Sequence, residues 1–123
     1  MSHRISGVIR DAFLVILIFL SGCEKDGEQS VNDNDGNVYH VVTIGNQVWM
    51  VENLKSTHYR NGDPVLNVTE GAEWDNLSAG AYCDIDNQSS NASIFGHLYN
   101  WYAVNDSRHL CHEGWHVPTD DEW

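Results

Sequence analysis

The residues predict an α+β domain behind a short export signal, and three observations carry that reading. Two runs rich in β-branched and aromatic residues, Val38–Ile44 and 47–51, are joined by Gly45-Asn46, the composition of a β-hairpin. Across residues 95–104, Phe95, Leu98, Tyr99 and Tyr102 recur at i, i+3, i+4 and i+7, which predicts one helix with an aromatic face. Trp101 and Val104 widen that stripe, so the helix is expected to be buried. Near the last residue, Pro118 introduces Thr119-Asp120-Asp121-Glu122, the pattern of a helix capping box.

The amino-terminal residues read as an address. Arg4 and Arg10 precede the apolar run 12–20, which is too short to span a bilayer and is followed by Leu20-Ser21-Gly22-Cys23. That tetrapeptide looks like a bacterial lipobox, so residues 1–22 are expected to be a lipoprotein signal and Cys23 the acylated first residue of the mature chain. Several acyl chains hold a protein on a membrane where one would let go. The expected location is therefore the bacterial cell envelope, at the outer membrane or cell surface. Residues 23–34 are acidic and aperiodic and predict a flexible tether, leaving 35–123 as the domain.

Composition narrows the partners. A net charge of −12 and a sequence pI near 4.6 argue against nucleic acid and against an electrostatic grip on anionic lipid. With Cys23 acylated, Cys83 and Cys111 remain in an oxidising compartment, open to pairing with each other or elsewhere.

Along the chain, Asp33-Asn34-Asp35-Gly36 invites comparison with an EF-hand. Aligning its glycine places Val31 and Val42 where carboxylates belong, so a turn into the first strand is preferred. Trp49 and Met50 must point to opposite faces of the hairpin, and only one can lie on the core side. Residues 56–81 are dominated by breakers and predict a long loop, with a short extended piece at 64–66 and Trp74 as its anchor. Residues 80–83 predict a brief buried strand, 86–93 a polar loop, and 114–117 another short strand. A capped start with no helix behind it cannot propagate, so the sequence is expected to stop inside its domain.

One stretch matches a catalytic pattern. His112-Glu113-Gly114-Trp115-His116 is a literal H-E-x-x-H, which in zinc peptidases places two histidine ligands one helical turn apart with the glutamate polarising water. Gly114 within it and Pro118 just beyond oppose the helix that this geometry needs. No catalytic residue, metal or cofactor is assigned; His109, Cys111, His112 and His116 offer the ligand types of an adventitious metal patch, and the preferred reading is surface histidines near a strained loop. The tryptophans and tyrosines offer sugar-stacking surfaces. Most are expected in the core, Trp101 and Tyr99 among them, and Trp74 is the candidate exposed contact.

Three blocks together resemble a known bacterial family: 35–55 with Ile44-Gly45-Asn46-Gln47-Val48-Trp49-Met50, 95–104 with Phe95-Gly96-His97-Leu98-Tyr99-Asn100-Trp101, and 111–123 with Gly114-Trp115-His116-Val117-Pro118-Thr119. They look like the Fibrobacter succinogenes major paralogous domain, a module of bacterial surface proteins. The resemblance implies a C-type-lectin-like fold, related to that of formylglycine-generating enzymes, of which this chain carries the first half. It also implies that Cys111 pairs with a late cysteine beyond Trp123, which leaves Cys83 without an obvious partner. Where the family usually has proline, this chain has His112, so the zinc pattern looks local. The copper-binding cysteine pair of the related oxidases has no counterpart here. The functional expectation is a non-enzymatic surface module binding a glycan or a protein; the alternatives are a zinc hydrolase using His112, Glu113 and His116, an oxidase, or a purely structural envelope protein.

Overall fold

The computed structural model describes residues 29–123, an α+β arrangement of two small three-stranded sheets and short helical turns. Cys23 and the expected signal, residues 1–22, lie outside the described residues. The first sheet is antiparallel, with β1 (Ser30–Asn32), β2 (Val38–Ile44) and β3 (Gln47–Met50) in that order. The expected hairpin is present, with Gly45 at φ 64° in its turn and Val42 opposite Trp49. β1 falls inside the stretch read as tether: Ser30 pairs with His40 and Asn32 with Val38. Ser30 and Asn32 are exposed, so the strand is secured by backbone pairing and by Val31, which packs against the core, and composition carried no trace of it.

The turn from β1 to β2 is built by Asp33. Its Oδ1 accepts from the backbone N–H groups of Asp35 (3.0 Å) and Asn37 (2.9 Å), and its Oδ2 from the fully buried Tyr39 hydroxyl at 2.6 Å. The Tyr39 hydroxyl in turn accepts from Lys55 N–H at 3.0 Å; burial, then the Asp33 carboxylate, raise the phenol pKa well above its usual value against the opposing effect of that bond. Val41, Val48 and Met50 face the core; Trp49 is on the other side of the sheet.

The second sheet joins β4 (Leu66–Asn67), β5 (Ala81–Cys83) and β6 (Leu98–Tyr99), with β4 parallel and β6 antiparallel to β5. β5 is the expected buried strand, and Ala81 is fully buried. Within the predicted long loop a helical turn, α1 (Gly71–Asn76), appears, its last turn closed by Asn76 Nδ2 donating to Ala72 O at 2.7 Å. Two 3₁₀ turns, Ile85–Asn87 and Ser89–Asn91, lead into α2 (Ala92–Phe95).

The single aromatic helix expected across 95–104 does not form. α2 ends at Phe95, Gly96 takes φ 69° and ψ −164°, β6 follows, and only Trp101–Val104 is helical, as α3. Two residues override the periodicity. Gly96 brings the backbone against residues 53–54, with His97 N–H donating to Leu54 O and Asn53 Nδ2 donating to Phe95 O, both at 3.0 Å. Asn100 caps α3: its Oδ1 accepts from Ala103 N–H at 2.9 Å and from Ala81 N–H at 3.0 Å. The aromatic stripe is therefore dispersed. Phe95, Trp101 and Tyr102 are exposed, and it is Ala103 that is buried.

The core gathers Tyr59, Val65, Ala103, Leu110, Cys111 and Trp115. The Arg108 guanidinium covers the Tyr59 ring at 4.0 Å. Arg60 ties the carboxy-terminal loop down, donating to the carbonyls of Cys111 (3.0 Å), His112 (3.1 Å) and Trp115 (3.2 Å). Those carbonyls are thus taken by a side chain, and Gly114 turns at φ 84°, so the strand expected at 114–117 is a loop. At Thr119 the capping residues act as expected: the Glu122 carboxylate accepts from the Thr119 N–H at 2.9 Å and hydroxyl at 3.0 Å, around the single 3₁₀ turn Asp120–Glu122.

Candidate functional site

α3 is held by its inner face. A β-carbon on Gly80 would lie 3.0 Å from Ala103 Cα, so β5 and α3 meet backbone to backbone and nothing larger than Ala103 fits between them. The adjacent Trp101 and Tyr102 are turned outward, while Val104 packs against the core. Trp101 is 69% and Tyr102 48% exposed, a large aromatic surface left in solvent.

Trp101 stands between two clefts. On one side a cavity of about 500 Å³ is lined by Val104, Leu110, Trp115, His116, Thr119 and Asp120, among others. On the other, about 400 Å³ is bounded by Ser78, Gly80, Tyr102, Asp106, Ser107 and Arg108. Asn105 lines both. The second cleft has a fixed charge pattern: Arg108 donates to both Asp106 oxygens (2.9 and 2.8 Å) and to Asp63 at 3.1 Å. This guanidinium holds the Asp106 carboxyl down at about 2. An indole face flanked by amide, hydroxyl and ionic groups can stack on an apolar ring face while hydrogen-bonding its rim.

The H-E-x-x-H segment does not assemble a metal centre. Glu113 and Gly114 form a turn closed by Trp115 N–H to His112 O at 3.1 Å, not a helix. His112 packs on the Trp115 ring, whereas His116 Nε2 lies 3.0 Å from the Glu122 carboxylate. Among the described residues no three His, Cys, Asp or Glu side chains are grouped to hold a metal ion.

Cys83 and Cys111 are free thiols, not joined to each other. Burial pushes the Cys111 thiol up to about 11, and burial followed by the Asp84 charge raises that of Cys83, so neither is an activated nucleophile. Trp74 sits half-buried in α1 and lines none of the clefts described. A pair the sequence reading passed over is His97–Asp84, Nδ1 to Oδ1 2.6 Å, with both side chains under 10% exposed and the Tyr82 ring 4.3 Å from the imidazole. The β5–β6 pairing makes these two residues neighbours, a relation that thirteen residues of separation conceal.

Strand pairing, clefts and loop together define a small α+β module. The family description that matches is the Fibrobacter succinogenes major domain, over residues 42–123, and the chain belongs to that family. The match takes in both clefts and begins within β2, later than the motif block at residue 35. No curated protein and no solved structure matches the chain.

Proposed function

We propose that this protein is a lipid-anchored component of the bacterial envelope whose domain binds an extracellular ligand without catalysing a reaction, and that the ligand is a glycan stacked on Trp101. The observation that carries the reading is the solvent-facing indole of Trp101 between two clefts whose rims supply Asn105, Asp106, Arg108 and Asp120. Sugar rings present an apolar face and a hydroxylated edge, and that mixture suits an aromatic platform with polar flanks. Leu20-Ser21-Gly22-Cys23 supports the anchor, and the motif blocks support a C-type-lectin-like relationship for the α+β module.

Affinity electrophoresis of the full chain through gels containing soluble polysaccharides tests it. Retardation lost on Trp101→Ala, with an unchanged circular dichroism spectrum, is the expected result. A wild-type protein that no polysaccharide or envelope glycan retards overturns the glycan reading. Hydrolysis of a peptide substrate that is abolished by Glu113→Gln would replace it with the zinc-hydrolase alternative.

A further inference from the structure

Among the described residues, the hairpin end of the first sheet's outer face is an apolar patch covered only by Trp123, whereas the β1 end of that face carries Ser30, Asn32 and His40. Val42 and Trp49 are cross-strand partners, Ile44 follows on the same face, and Trp123 packs on Trp49 with ring centroids 5.2 Å apart. Ile44 is 60%, Val51 61% and Trp123 84% exposed. A groove of about 530 Å³ runs between them, and Glu122 is its one ionisable lining residue. The Glu122 carboxylate is engaged by Thr119 and His116.

The direction of the chain says which end of this sheet lies nearest Cys23. Gln29 O accepts from Val41 N–H at 3.0 Å, and β1 is antiparallel to β2. The chain preceding Ser30 therefore enters from the side toward which β2 advances, from Val41 to Ile44 and the hairpin turn. Residues 24–28 alone separate Cys23 from Gln29, a reach of at most about 20 Å. A domain of about 100 residues is about 30 Å across, so an acyl anchor on that leash keeps the side of entry next to the bilayer.

We infer that the hairpin's outer face, centred on Val42, Ile44, Trp49 and Trp123, docks on the interfacial region of the lipid bilayer, a second membrane contact that orients the domain. This rests on the proposed acylation of Cys23. Aliphatic side chains enter the acyl boundary while indoles settle at headgroup level. The net charge of −12 selects a zwitterionic surface and disfavours an anionic one.

The test uses the full chain, exported and labelled with radioactive palmitate in a bacterial host, then reconstituted into phosphatidylcholine vesicles brominated at the carbonyl end of the acyl chain, just beneath the headgroups. Bromine quenches tryptophan fluorescence only at short range. Quenching is expected in the wild type, to fall by about twofold or more in Val42→Ser/Ile44→Ser, to weaken when phosphatidylglycerol is added, and to persist in Trp101→Phe. Palmitate incorporation without quenching overturns the docking inference alone. Cross-linking of position 44 between two copies in those vesicles also overturns it, making the occupant a second copy. Absence of palmitate from a chain carrying Cys23 overturns the anchor reading, and the inference with it.

Discussion

Gly96 and Leu54 meet through their backbones. A β-carbon on Gly96 would fall 2.6 Å from the Leu54 carbonyl oxygen, which already accepts the His97 N–H at 3.0 Å. At φ 69° and ψ −164° the position also lies in a region that only glycine enters freely. Gly96→Ala is expected to cost about 3 kcal/mol, combining strain with displacement of residues 53–54. Urea unfolding followed by fluorescence measures it.

Gly80 makes a second such contact, in which a β-carbon would lie 2.0 Å from the Tyr59 hydroxyl oxygen. That hydroxyl is buried and makes no hydrogen bond of normal geometry, its interaction with the nearby Asp106 carboxylate being a weak one, so Tyr59→Phe is expected to change stability by less than about 1 kcal/mol. Gly80→Ala alone should destabilise clearly, and less so in the Tyr59→Phe background. A double-mutant cycle without coupling would contradict the geometry.

Trp115 and Trp101 should respond oppositely to truncation. Trp115 is 7% exposed within the core, and Trp115→Ala is expected to lose about 3–5 kcal/mol. Trp101→Ala should stay within about 0.5 kcal/mol because its indole faces solvent. Thermal melts of the two variants side by side are sufficient.

Acid should loosen the loop around Arg108. Its hydrogen bonds hold the Asp106 carboxyl down at about 2, from an ordinary value near 3.8. A depressed folded-state pKa contributes stability that is present above about pH 4 and lost as pH falls through about 2. The urea midpoint of the wild type should therefore fall between pH 4 and 2, and Asp106→Asn should flatten that dependence.

The thiols of Cys83 and Cys111 should react unequally. Cys83 is half-exposed, whereas Cys111 is 2% exposed with its pKa raised to about 11. A thiol reagent at pH 8 is expected to label Cys83 first and Cys111 on unfolding. Mass spectrometry of the labelled peptides distinguishes them.

Sequence alone determined the elements whose signals are local. Gly45-Asn46 between β-branched runs specifies the hairpin, Asp33 through Gly36 the turn before it, residues 80–83 a brief strand of which Ala81 is fully buried, and Thr119 with Glu122 the last turn. The motif blocks likewise placed the chain in its family. Tertiary structure decided what depends on partners distant in the chain. Helical spacing across 95–104 was real as a pattern, yet Gly96 against Leu54 and Asn100 between Ala81 and Ala103 each took hydrogen bonds that a continuous helix would have used. That exchange exposed Trp101 and created the candidate site, as Arg60 removed the expected strand at 114–117 by claiming its neighbours' carbonyls. A backbone group makes its bond with whichever partner the whole fold brings within reach, and periodicity along the chain contains no record of that choice.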